Sequence, residues 1–273
     1  VGQAILRGIG DDYDWRLLDR EPLPAAKVPN GVTDADRYVA DITDERAVRE
    51  AVADVGAVIH LAGDPRKTAP WDSVLRNNID GTQVVMRAAA DAGVEKFAFA
   101  SSNHAVGGYE TDERTPDLYR SEDEYRLDGS ELPRPGNLYG VSKAAGESLG
   151  RFYHDEFGMS VVCVRIGNLT KDHPPREYER GQAMWLSHRD CAHLFDRCLR
   201  AEYGYEIVYG ISNNDRRYYS IERAREALGY DPADNSGDYT FEGKPKSDSD
   251  TEANGGRYDD DSLASDADRP APE

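Results

Sequence analysis

The chain has 273 residues, 38% of them hydrophobic, and a formal charge of −19 from 52 acidic against 33 basic side chains. That length supports one substantial α/β core and excludes a peptide or a fibre. The negative charge excludes nucleic acid and anionic membrane surfaces as partners, because both would repel it.

Cys163, Cys191 and Cys198 are odd in number and form no C-x-x-C pair, so neither a disulfide framework nor a metal site is expected, and a reducing cytoplasm fits best. No apolar run approaches the roughly 20 residues that span a bilayer. The N-terminus also lacks a basic stretch followed by an apolar one, so no membrane partner is expected.

In chain order, short β-branched apolar runs alternate with stretches of helical period, the pattern of β-α units on a parallel sheet. Val1, Ile5 and Ile9 open the chain at helical spacing, with Gly2 where the last glycine of a G-x-x-G-x-x-G phosphate turn would start a helix. No strand and no earlier glycines precede it in these letters. The sequence therefore predicts a Rossmann-like doubly wound parallel sheet lacking its first strand and most of the Gly-rich turn, with two neighbouring strands left unpaired. An ordinary amphipathic N-terminal helix is the alternative for residues 1–10.

Strands are predicted at 15–19, 37–41, 57–63, 96–102, 160–168 and 205–212. Helices are predicted over 44–55, 71–92 ending at Gly93, 139–157 stopping at Gly158, 188–202 and 220–228. Residues 1–234 are thus one dinucleotide-binding domain, with a small C-terminal part and substrate-binding elements near 103–135 and 168–234. From residue 235 Asp, Ser, Gly and Pro displace large aliphatics, and 235–273 reads as an acidic disordered tail.

Three places match a dinucleotide crevice. Asp19 ends a strand where a carboxylate accepts hydrogen bonds from ribose hydroxyls, and it would repel a 2′-phosphate, favouring NAD over NADP. Asp41 and Ile42 would flank the adenine. Leu61, Ala62 and Gly63 close a strand with small residues that let backbone approach the cofactor. Each alone also fits a helix cap or strand end; their order and spacing together point to the cofactor.

In "LYGVSK", Tyr139 and Lys143 stand four apart and share one helix face. A free tyrosine titrates near ~10 and is a poor base at neutral pH; a neighbouring ammonium favours the phenolate and lowers that value. Such a pair also occurs by chance on many helices, but Ser101 and Ser102 end the preceding strand at the edge where a ligand sits.

With these motifs, the run from "GDPRKTAPW" to "SSNHAVGGY", then "LYGVSKAAGESLGRFY" and "VRIGN", resembles the extended short-chain dehydrogenases/reductases of the NAD-dependent epimerase/dehydratase superfamily. "SSNHAVGGY", "MWLSHRDCAHLF" and "SNNDRRYYS" resemble the uronate dehydrogenases and haloarchaeal NAD-dependent glucose-6-phosphate dehydrogenases more narrowly. The acidic, lysine-poor composition is similar to that of salt-adapted proteins, although an acidic tail alone accounts for part of it.

The resemblance implies Ser102, Tyr139 and Lys143 as a catalytic triad, with Lys143 also on the nicotinamide ribose and Asn78 supporting the lysine through water or backbone. It further implies sugar contacts from Asn103, His104, Asn168 and Arg180, and it gives NAD and a small sugar as ligands. His104 could equally pack the turn and Arg180 be a surface charge. Arg180, Arg176, Lys171 and His173 form a basic cluster for an anionic sugar end. The family's serine in "RIGS" is here Asn168, Pro65 replaces a small residue, and the loop from Asp112 to Pro135 is longer by roughly a dozen residues, so the sugar is less secure than the chemistry.

The expected reaction is oxidation of a uronate or phosphosugar at the anomeric carbon to a lactone. A nucleotide-sugar epimerase or dehydratase and a non-catalytic NAD-binding regulator are the competing readings. The oligomeric state, a homo-oligomer included, stays open.

Overall fold

Runs such as KFAFASS and SVVCVRI are apolar on both faces, which only a sheet covered by helices on each side can satisfy. The computed structural model describes residues 1–110, 126–170, 173–176, 179–240 and 242. Its first half runs α1 (Gly2–Ile9), β1 (Leu17–Asp19), β2 (Arg37–Val39), α2 (Glu45–Val52) and β3 (Ala57–His60). A long helix follows as α3 (Trp71–Val74), a π-helical segment (Leu75–Asp80) and α4 (Gly81–Asp91). Next come β4 (Lys96–Ser102), a 3-10 turn (Asn103–Tyr109), α5 (Leu138–Phe157) and β5 (Ser160–Ile166). The chain then forms β6 (Asn168–Leu169), α6 (Glu179–Ala183), β7 (Trp185–Leu186), α7 (His188–Arg200), β8 (Tyr205–Gly210) and α8 (Glu222–Leu228).

Strands β3, β4, β5 and β8 form one parallel sheet in that order, while β1 and β2 pair in parallel as a separate ribbon. Among the described residues, no strand pairs with the second edge of β1 or of β3. One core layer joins α1 and α7 to the sheet through Ile5, Val164, Leu194 and Phe195. The opposite layer gathers α2, α4 and α5 over Phe97, Phe99 and Val161. A third cluster, with Val106, Leu127, Tyr209 and Tyr219, lies at the carboxyl end of the sheet, with Tyr209 still inside β8.

The predicted strand over 160–168 breaks at Gly167, where a Cβ would meet the Met184 carbonyl at 2.2 Å. The chain bends there and Asn168 pairs with Trp185 in a second ribbon. The helix over 71–92 is interrupted by its π segment. Past residue 234 the chain stays packed for a few residues: Ser236 is buried and its amide donates to Asn214 Oδ1 at 3.0 Å. The rest of the predicted tail, at 241 and 243–273, lies outside the described residues, as does 111–125 of the long loop.

Candidate active site

Helix α5 starts where Asn137 accepts a hydrogen bond from the Gly140 amide at 2.8 Å and stops at Gly158, whose φ is 71°. Tyr139, Lys143 and Glu147 recur at every fourth position and face the sheet. The helix lies close against β4 because its inner positions are glycines: a Cβ on Gly146 would reach Phe99 Cζ at 2.3 Å, and one on Gly140 would meet the His104 carbonyl at 2.2 Å.

That approach brings the predicted catalytic side chains together at the carboxyl edge of β4. Lys143 is buried, its Nζ donates to the Ala100 carbonyl at 2.8 Å, and it lies 5.4 Å from the centre of the Tyr139 ring. Burial lowers Lys143 to about 8, and Glu147 opposes that shift. Ser102 ends the strand and accepts from the His104 amide at 3.2 Å. Burial also raises the Tyr139 phenol above its ordinary value, while the Ser102 hydroxyl pulls it back. The lowering expected from the ammonium does not appear, because desolvation outweighs other influences and the lysine is held on a backbone carbonyl.

The cofactor candidates gather around the ends of β1 and β3. A Cβ on Gly2 would come within 3.3 Å of Leu61 Cδ1, so the start of α1 adjoins the loop after β3. Gly63 is exposed at φ 153°, and Asn78 fills the space its side chain would take, 3.0 Å from that point. Ala62 is half-buried between them. Asn78 Oδ1 accepts from the Asp64 amide at 2.6 Å, and its Nδ2 donates to the Asp64 carbonyl at 3.0 Å and to Ser142 Oγ at 2.9 Å. Asn78 thus ties the loop to the first turn of α5 through Ser142, whose hydroxyl donates to the Tyr139 carbonyl at 2.7 Å.

Asp19 is exposed at the end of β1. Asp41 accepts from the Thr43 amide at 2.9 Å and its hydroxyl at 2.8 Å, bonds that hold its carboxyl below the usual range. Ile42 instead sits in the core with Val48 and Val85. An exposed carboxylate at one strand end and a small-residue loop at another fit the ribose and backbone-contact side of a dinucleotide.

The sugar-side candidates form a second corner. His104 packs edge-on against Tyr139, with ring centres 5.8 Å apart, and burial lowers it to about 4, helped by the charges of Arg180 and Lys67. With the Asn103 amide oriented to satisfy its neighbours, its nitrogen donates to the Ile166 carbonyl at 3.2 Å and its oxygen accepts from Arg180 Nη2 at 3.2 Å. Arg180 also forms a buried ion pair with Glu110. Asn168 is half-buried in β6.

The basic cluster is not a group of cations awaiting an anion. Arg176 pairs with Glu242 at 3.1 Å, His173 Nδ1 lies 2.9 Å from the Pro174 carbonyl, and Lys171 falls outside the described residues.

The model of the NAD dependent epimerase/dehydratase family matches residues 1–208. The chain belongs to this family. Its relatives over most of its length are NAD-dependent sugar dehydrogenases and uronate dehydrogenases, which makes it an NAD-dependent oxidoreductase. It is 73% identical over 245 residues to the NAD-dependent glucose-6-phosphate dehydrogenase of Haloferax volcanii, covering 90% of this chain and 94% of that protein. Uronate dehydrogenase of Pseudomonas putida is 35% identical, covering 81% of this chain and 75% of that protein. Among solved structures, an NAD complex of a uronate dehydrogenase variant from Agrobacterium tumefaciens matches with a TM-score of 0.74 at 32% identity, covering 89% of this chain and 86% of that one. The acidic composition accords with the Haloferax relative.

For this epimerase/dehydratase member, sequence reading missed Glu147, Arg165 and Glu110. Arg165 Nε and Nη2 each donate to Glu147 at 2.9 Å, and Ser101 Oγ donates to the same carboxylate at 2.7 Å. Two signals were available: Glu147 continues the four-residue spacing of Tyr139 and Lys143, and an arginine inside "VVCVRI" needs a buried partner. No helix among the described residues is long and apolar enough to cross a membrane.

Proposed function

We propose that this enzyme oxidises glucose 6-phosphate at its anomeric carbon to the lactone, through Ser102, Tyr139 and Lys143. The reading is carried by one observation: a half-buried phenol and a buried ammonium, 5.4 Å apart from ring centre to nitrogen, stand beside the strand-end serine. Ser102 orients the anomeric hydroxyl and Tyr139 takes its proton; because burial raises the phenol, the phenolate this needs would form only with the Lys143 ammonium and the positive ring of bound NAD to favour it. The C1–H bond then breaks with its electron pair leaving on the hydrogen. NAD, when bound, supplies the hydride acceptor. Gly2, Asp19, Asp41 and Gly63 with its neighbours would hold the cofactor, and Lys143 would stabilise the phenolate and reach the ribose. Holding these groups in register provides much of the acceleration. The 73% identity to a glucose-6-phosphate dehydrogenase supports the phosphosugar over a uronate.

The test is NADH formation by absorbance, with NAD or NADP, against glucose 6-phosphate, glucuronate and galacturonate in high salt, with the lactone trapped chemically. Stoichiometric NADH with glucose 6-phosphate, at a kcat/KM well above that for either uronate, is expected; an epimerase or dehydratase would accumulate none. Tyr139→Phe should abolish turnover while leaving NAD affinity within about threefold, and turnover that persists in that variant overturns the assignment of the base.

A further inference from the structure

Arg180 bonds to Asn103 and acts on His104, two of the sugar-side candidates, yet a carboxylate from its own chain already occupies it. Glu110 closes the 3-10 turn that starts at Asn103 and pairs with Arg180 Nε; the two side chains are only 8% and 10% exposed. Glu110 is fixed from behind as well, because the Tyr219 hydroxyl donates to its Oε1 at 2.5 Å. Tyr219 is fully buried and stacks on Tyr209 at 4.3 Å and 10°. The Tyr209 hydroxyl in turn donates to Glu131 at 3.2 Å and accepts from Arg165 Nη1 at 3.3 Å. The carboxylate is therefore part of a rigid buried lattice and not a surface group that swings aside when substrate arrives.

We infer that Glu110 is a specificity-determining residue: it occupies and neutralises Arg180, so that this corner offers hydrogen-bond donors in place of a net positive charge and disfavours sugars ending in a carboxylate. A planar carboxylate is the natural bidentate partner of a guanidinium, and here that partner is internal. A substrate carboxylate brought to the same fork meets a second carboxylate of like charge, a repulsive element that discriminates without any new attraction. The longer phosphate arm of glucose 6-phosphate lets its charge lie away from the pair. The charge of Lys67 also bears on His104 beside Arg180, which places another cation near this corner.

The inference rests on the dehydrogenase reading above. Glu110→Gln keeps the shape and removes the charge. The ratio of kcat/KM for glucuronate to that for glucose 6-phosphate should rise at least about tenfold, mainly through KM for glucuronate, and Arg180→Gln added to it should cancel the rise. An unchanged ratio in a folded variant of normal NAD affinity overturns the inference, as does a gain that survives the double substitution. A measurement on the unaltered enzyme guards against a variant that does not fold. With NADH bound, glucuronate should inhibit no more tightly than glucose, within about threefold, and tenfold tighter binding of glucuronate overturns the proposal. If no sugar yields NADH with the unaltered enzyme, the dehydrogenase reading itself has failed; NADH from glucose 6-phosphate with an unchanged ratio sinks only the role of Glu110.

Discussion

The two corners of the site are built in different ways. The catalytic corner comes from one strand and the helix after it: Ser102 ends β4, and Tyr139 and Lys143 share a face of α5. The sugar corner joins Glu110, Arg180 and Tyr219, residues from three separated stretches held by buried charge and stacked rings. The first corner is fixed by helical spacing and backbone approach, the second by side chains that must find one another across the fold. On the proposed reading, chemistry can stay constant while the sugar changes, because the residues assigned to select the sugar are not those assigned to move the proton.

Substitutions at each corner should therefore fail in different ways. Lys143→Met is expected to lower kcat/KM by about 10²- to 10⁴-fold, the usual range for an acid–base group, with little loss in melting temperature, since it removes a buried charge. A loss below tenfold would mean that the catalytic corner does not depend on the cation. Glu147→Gln strikes the link between the corners: it leaves Arg165, which is fully buried, without its main counter-charge. Breaking such a pair costs about 3–5 kcal/mol, read by denaturant titration, and a cost below about 1 kcal/mol would show the pair to be solvated.

A further effect is expected on stability against pH. Burial lowers His60 to about 3 and His104 to about 4, both from an ordinary 6.5. The unfolded chain takes up these protons first, so the histidines' contribution to stability is level above 6.5 and falls as the pH drops from there towards about 4, while Lys143 makes a separate slope above about 8. Melting temperatures across that window should slope downward, and His104→Gln should make the slope shallower. A flat profile would mean that the histidines are solvated.

Much of the scaffold was legible in the letters because its signals are local. β4 spans the predicted residues 96–102, Asp44 caps α2, and α5 starts within a residue of its expected position and ends at Gly158. The spacing of Tyr139 and Lys143 put both on one face without any knowledge of the fold. The Glu110–Arg180 pair has no such period: the partners are 70 residues apart, and only the packing of α6 against the turn after β4 decides that they meet. The Tyr139 environment was misjudged for a related reason, since the depth to which a helix sinks against a sheet, and with it the desolvation of a phenol, cannot be read from spacing alone.

That depth has a cost in evolutionary freedom. Gly140 and Gly146 occupy sites where one added methyl would overlap the His104 carbonyl or the Phe99 ring. Even alanine would push α5 outward and carry the phenol and the ammonium with it, out of reach of the serine. A saturation library at these two positions should return glycine almost alone among active clones, although neither residue has a functional group to offer.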